Sequence, residues 1–242
     1  MYDLQLLRYA DQTRSTDGSR PGTAPTATET HHRIEVRGFR AASPSFWSSL
    51  YTNASSGHYY IIFAGKNELS APLLAKGVME VREVAALWGN FIGQWHLEMS
   101  DALWFSFEAF KQIRDELRPQ LEREPLLEDI RPMVSVIGHS IGGSLAELVS
   151  QFFGLKGFSI DGPGMHGLTQ HSEFVAMKQI VRHEFADLQS RYQFQPGDFV
   201  AHGFSVVGLA SCHAIGVTYE GPLELDEFVR IFAPTLSDKG VA

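Results

Sequence analysis

Six residues, Gly138 to Gly143, carry the clearest chemistry in the chain. They read Gly-His-Ser-Ile-Gly-Gly, a G-x-S-x-G pattern centred on Ser140. An apolar, β-branched run precedes them (Met133, Val134, Ser135, Val136, Ile137), and helix-forming residues follow (Ser144, Leu145, Ala146, Glu147, Leu148, Val149). Strand, sharp turn and helix is the setting that lifts a serine hydroxyl to the tip of a sheet and makes it a nucleophile. Gly138 and Gly142 let strand and helix approach without Cβ clashes. A helix N-terminus beneath the serine favours the negative charge of an oxyanion. The plainer alternative is a Gly/Ser loop joining a strand to a helix; the flanks on both sides favour the nucleophile.

A serine hydroxyl is a weak nucleophile and needs a base, which in turn needs an orienting acid. In hydrolases built on such an elbow the chain order is serine, acid, histidine, so the partners should lie C-terminal to Ser140. Asp198 is the preferred acid, in a Gln195-Pro196-Gly197-Asp198 turn expected to follow a short strand at Tyr192–Phe194. A lone loop aspartate is also a common turn or cap residue. Asp161, after the strand-like Lys156–Ile160, is the second choice, because the Gly-Pro-Gly that follows suggests a backbone role. Asp187 and Asp226 read as solvent-facing helix residues. Among ten histidines, His213 is the preferred base: it follows Asp198 and precedes an expected strand at Ala214–Tyr219. His202, close to Asp198 in the chain, is its alternative. His139 adjoins the serine on a sharp turn, points away from it and braces the elbow. The oxyanion hole needs two N–H donors; these are expected from Ile141 and from Lys66, in the loop Phe63-Ala64-Gly65-Lys66-Asn67.

The elements that must position these groups are legible as runs. Residues 1–30 read as a flexible N-terminal segment: Leu4–Ala10 suits a short amphipathic helix, and Thr13–Thr30 is rich in Thr, Ser, Gly, Pro and Ala. Residues 31–242 read as one domain. Arg33–Phe39 alternates as a half-buried strand does. Phe46–Thr52, a turn at Asn53–Gly57 and Tyr59–Phe63 read as a hairpin leading into a central strand. From about Leu73 to Leu121 helical spacing dominates, with Leu103, Phe107, Phe110 and Ile113 on one stripe. That stripe reads as core; another face of the same aromatic block suits an acyl chain. A helix is expected over Ser172–Glu184 and another over Leu225–Phe232. Strands alternating with helices imply an α/β domain, a mostly parallel central sheet flanked by helices, with an N-terminal β-hairpin region.

Composition bounds the rest. The 242 residues are 44% hydrophobic and 20% charged, globular values for one sizeable core. A net charge of -8 without a Lys/Arg cluster argues against nucleic acid as a partner. Cys212 is the sole cysteine, so no intrachain disulfide forms. The first residues lack a basic n-region and a long apolar h-region, and no stretch is long and apolar enough to span a bilayer. A cytoplasmic location, or secretion by a route without a signal peptide, is the expectation. No HExxH, paired-cysteine, Ca²⁺-loop or P-loop pattern occurs, so neither metal nor cofactor is expected.

GHSIGGSLAEL, beginning at Gly138, resembles the GHSLGGxLA elbow of class 3 lipases and their bacterial lipase-like relatives. Tyr59–Asn67 looks like the strand that ends in their phenylalanine–arginine–glycine–threonine oxyanion loop. Gly38-Phe39-Arg40-Ala41 with Ser49-Leu50-Tyr51 is similar to their β-rich entry. Phe158–Gly164 resembles a bacterial subgroup with an Asp-Gly-Pro-Gly signature, and Asp198-Phe199-Val200 resembles the catalytic Asp-x-Val turn. The resemblance implies an α/β-hydrolase-like fold and a serine hydrolase of carboxylic esters (a lipase, phospholipase or esterase) with a lipid or other ester substrate and transient contact with a membrane surface. Ala64 and Lys66 stand where the family carries arginine and threonine, so only backbone N–H groups remain as oxyanion donors there. That departure motivates an alternative: a hydrolase-fold protein that has lost catalysis and binds a lipid or protein partner. Acyl transfer to an alcohol or amine acceptor is a third expectation.

Overall fold

The computed structural model describes residues 27–28, 31–44, 46–63, 95–139, 141–160, 162, 164–165, 167–188, 193–202 and 213–220. β-branched and aromatic runs form the strands, as their preference for a pleated, half-buried surface dictates. These are β1 (Ala27–Thr28), β2 (His31–Ile34), β3 (Ser48–Asn53), β4 (Tyr59–Phe63), β5 (Val134–His139), β6 (Lys156–Ile160), β7 (Phe199–His202) and β8 (Thr218–Glu220). They lie in one sheet in chain order. Pairing is antiparallel from β1 to β4 and parallel from β4 to β8. The described helices are α1 (Leu97–Leu117), α2 (Leu127–Ile130), α3 (Ile141–Phe153) and α4 (Ser172–Glu184).

The β3–β4 hairpin forms because Asn53 closes its own turn: its Oδ1 accepts the N–H groups of Ser55 and Ser56 at 2.9 and 3.1 Å. Gly57 then takes the left-handed conformation, φ 67°, that a side chain would resist. From β4 onward the strands step always to the same side. Parallel crossovers are right-handed in nearly all proteins, so successive crossovers land on one face of such a sheet. The core bears this out. Leu103, Phe110 and Ile113 of α1, Leu145, Val149 and Phe153 of α3, and Phe174 and Val181 of α4 share one cluster with Leu50, Ile61, Phe63, Val136 and Phe199. Leu50, Ile61, Val136 and Phe199 form a single row by register through Gly157, and Phe63 lies two residues further along β4 on the same face.

Three expectations shift. Ala27–Thr28, inside the stretch expected to be flexible, is a strand paired with His31–His32. Phe199–His202, not Tyr192–Phe194, is the seventh strand; Gln193 to Gln195 are irregular. The last described strand starts at Thr218, with a turn before it. The expected helices at Leu4–Ala10 and Leu225–Phe232, and the first part of the Leu73–Leu121 block up to residue 94, lie outside the described residues.

Candidate active site

β5 ends at His139 and α3 begins at Ile141. Ser140 itself lies outside the described residues, as do Lys66 and the second-choice acid Asp161. The frame around position 140 is described on both sides, and it fits only glycine. A Cβ on Gly138 would sit 2.0 Å from the carbonyl oxygen of Gly142, far inside van der Waals contact. A Cβ on Gly143 would come within 2.9 Å of Gly162 Cα, in the loop after β6. Strand, first helical turn and neighbouring loop are thus in backbone-to-backbone contact. Ile141 opens α3, and the first N–H groups of a helix have no acceptor within it. The positive end of the α3 dipole therefore lies at this edge of the sheet, where it favours negative charge.

His213 lies in the crossover between β7 and β8. Its Nδ1 is 2.7 Å from Oε2 of Glu147, and the two side chains are only 3% and 1% exposed. The other carboxylate oxygen, Oε1, accepts the backbone N–H of Ala214 at 2.6 Å. A carboxylate accepts, so Nδ1 donates to it, and in the neutral ring Nε2 then presents its lone pair. That Nε2 is buried and has no hydrogen-bond partner among the described residues. The ring packs on Tyr219, centroids 5.5 Å apart. Tyr219 shares a register row with Ala201, Ser159 and Gly138, which sets the imidazole level with the strand residue two positions before Ser140.

Asp198, the expected acid, is elsewhere. Because Phe199 begins β7, Asp198 precedes a strand instead of following one. Its carbonyl accepts the N–H of Gly157 near the start of β6 at 2.9 Å. Its carboxylate accepts the N–H of Gln195 at 2.8 Å and meets Lys156 Nζ at 3.2 Å. It closes the Gln195–Asp198 turn at the amino ends of the parallel strands, whereas position 140 follows their carboxyl ends. Along a five-residue strand those edges are about 13 Å apart. The alternative base, His202, ends β7; its Nδ1 is 3.7 Å from Glu220, and the alternation with Ala201 places it on the face away from α3.

The carboxylate that meets His213, Glu147, is absent from the expected triad. Its signal was present: α3 is apolar nearly all round, and such a helix is buried. A single carboxylate inside it needs a specific partner. Among the described residues no three His, Cys, Asp or Glu side chains gather in a way that could hold a metal ion, and no helix is long and apolar enough to cross a membrane. No protein-family model matches this chain, and no curated protein matches it.

Proposed function

We propose that this chain is a serine hydrolase of carboxylic esters on an α/β-hydrolase-like fold, with Ser140 as nucleophile and His213 as general base. The observation that carries this reading is the buried imidazole of His213: its Nδ1 is held by a carboxylate of the helix that starts directly after Ser140, and its Nε2 has no partner among the described residues. A neutral ring in that tautomer can accept a proton and return it.

In the proposed reaction Ser140 Oγ bonds to the ester carbonyl carbon as its proton passes to His213 Nε2. The carbonyl π pair moves onto oxygen, where the N–H groups of Ile141 and Lys66 receive the negative charge. Collapse of this tetrahedral species breaks the bond to the alkoxy oxygen, which leaves as the alcohol with the proton from Nε2. Water then loses a proton to Nε2 and attacks the acyl-serine. The second collapse returns that proton to Ser140 and frees the carboxylic acid. The substrate is a lipid or another carboxylic ester.

A fluorophosphonate probe tests the nucleophile. Wild type should be labelled covalently and Ser140→Ala should not. A panel of p-nitrophenyl esters and phospholipids should be turned over by wild type alone. Equal product release by both proteins on every substrate, with no labelling, would leave the fold as a binding scaffold.

A further inference from the structure

The geometry points to Glu147, on the elbow helix, as the positioning residue that orients the His213 imidazole in place of an aspartate following a late strand. This inference rests on the hydrolase reading above. Four observations carry it. The Oε2–Nδ1 contact is 2.7 Å, and both side chains are almost wholly buried. The second carboxylate oxygen is fixed by the Ala214 N–H at 2.6 Å, so the group that aims the ring also anchors the segment bearing it. The ring's outer nitrogen is buried without a partner among the described residues, an arrangement that a purely structural tie does not require. The expected acid, Asp198, is engaged at the opposite edge of the sheet by Gln195 and Lys156.

The topology explains why a helix residue can serve. Every described crossover after β4 lands on the face that carries α3, and the β7–β8 crossover delivers His213 to that same face. Glu147 is four residues past Gly143, about one helical turn, so both fall on the side of α3 that packs against the loop after β6. Helix side chains lean toward the N-terminus, which turns a carboxylate at 147 back toward the elbow. A glutamate, one methylene longer than aspartate, has the reach to leave the helix and meet a ring over β8.

The test compares Glu147→Gln, Glu147→Asp and Asp198→Asn with wild type on one p-nitrophenyl ester. Glu147→Gln should lower kcat by about 10³–10⁴-fold, with KM nearly unchanged, as expected when a ring loses its orienting anion. Its residual activity should show the acidic limb of the kcat/KM profile displaced to lower pH, because removing a negative charge beside an imidazole weakens proton binding. Glu147→Asp keeps the charge at shorter reach and should recover part of the loss, remaining about 10²-fold below wild type. Asp198→Asn should stay within a few-fold of wild type. In proton NMR of the intact chain, the far-downfield ring N–H of His213 should be present in wild type and Asp198→Asn and absent in Glu147→Gln, whether or not the latter turns over substrate. Loss of activity in Asp198→Asn with Glu147→Gln near wild type, or a ring N–H signal insensitive to Glu147→Gln, would overturn the assignment. Wild type that neither labels with fluorophosphonate nor hydrolyses any ester would remove the hydrolase reading itself, and the positioning role with it, even if the ring signal still depended on Glu147.

Discussion

At position 147 a carboxylate has been taken out of water into an apolar helix face, which is costly unless a partner compensates. His213 and the Ala214 N–H are that compensation. Removing one member leaves the other buried and unpaired, so Glu147→Ala and His213→Ala should each destabilise the fold by about 3–5 kcal/mol. The double variant Glu147→Ala/His213→Ala should cost clearly less than the sum of the two, since neither side chain of the pair is then stranded. Urea denaturation of the four proteins closes the cycle, and additive losses would show that the groups do not interact. The same residue marks what could be read from sequence. The G-x-S-x-G pattern around position 140 stands out in the sequence because it is local, and the structure describes only its flanks. Glu147 is separated from His213 by 66 positions, and the feature that betrays it is the oddity of one carboxylate in an otherwise apolar helix. Asp198 misled because Pro-Gly-Asp closes a turn equally well before a strand as after one; only the position of β7 decides on which edge it falls. Asp187 is a parallel case. Read as a solvent-facing helix residue, it instead caps α2 by accepting the N–H groups of Leu127 and Glu128 at 3.0 and 2.9 Å.

For the elements, the governing constraint is how closely β5, α3 and the loop after β6 approach one another. The contacts at Gly138 and Gly143 are backbone against backbone, so no rotamer change can relieve an added methyl. Gly138→Ala should therefore cost about 3 kcal/mol or more, at the upper end of overpacking effects. It should also lower turnover beyond the loss of folded protein, since the elbow must open to admit the Cβ. Thermal melts and active-site titration with a fluorophosphonate separate the two effects. A variant that melts like wild type and titrates fully would show the elbow to be looser than described. Elements with a strong internal pattern were legible: the sequence places β6 at Lys156–Ile160 and α4 at Ser172–Glu184, and the structure gives those bounds. Alternation, apolar spacing and glycine punctuation settle such segments locally. The β7 and β8 boundaries were not legible, because each is a strand of three or four residues in an irregular stretch. Its pairing partner, not its own propensity, makes it a strand.

Across the whole molecule the parallel half of the sheet has a polarity, and the two edges carry different kinds of polar pair. The carboxyl edge leads into the elbow, the place where open α/β sheets take ligands. The amino edge carries Lys156 with Asp198, and His58 with Ser135. His58 sits just before β4, its Nε2 2.8 Å from Ser135 Oγ and its ring 4.8 Å from that of Tyr60. Burial holds its pKa below the ordinary 6.5, because taking the imidazolium out of water disfavours it. The sign follows from proton counting. Between the depressed folded pKa and 6.5 the unfolded chain binds more protons than the folded one, so stability rises with pH across that window. The contribution of neutral His58 is complete above 6.5 and is lost as pH falls below it. Replacing the ring by an amide, His58→Asn, removes that dependence. The stability difference between wild type and His58→Asn should thus shrink as pH is lowered from about 8 to about 5, the interval in which an ordinary histidine titrates. Urea midpoints at several pH values read this directly, and a pH-independent difference would show that His58 is not held neutral. Because this pair lies at the amino edge, His58→Asn should leave kcat/KM at neutral pH within a few-fold of wild type, whereas Glu147→Gln, its carboxylate aimed toward the elbow, should not. A loss of turnover in His58→Asn comparable to that in Glu147→Gln would break the division of labour between the two edges.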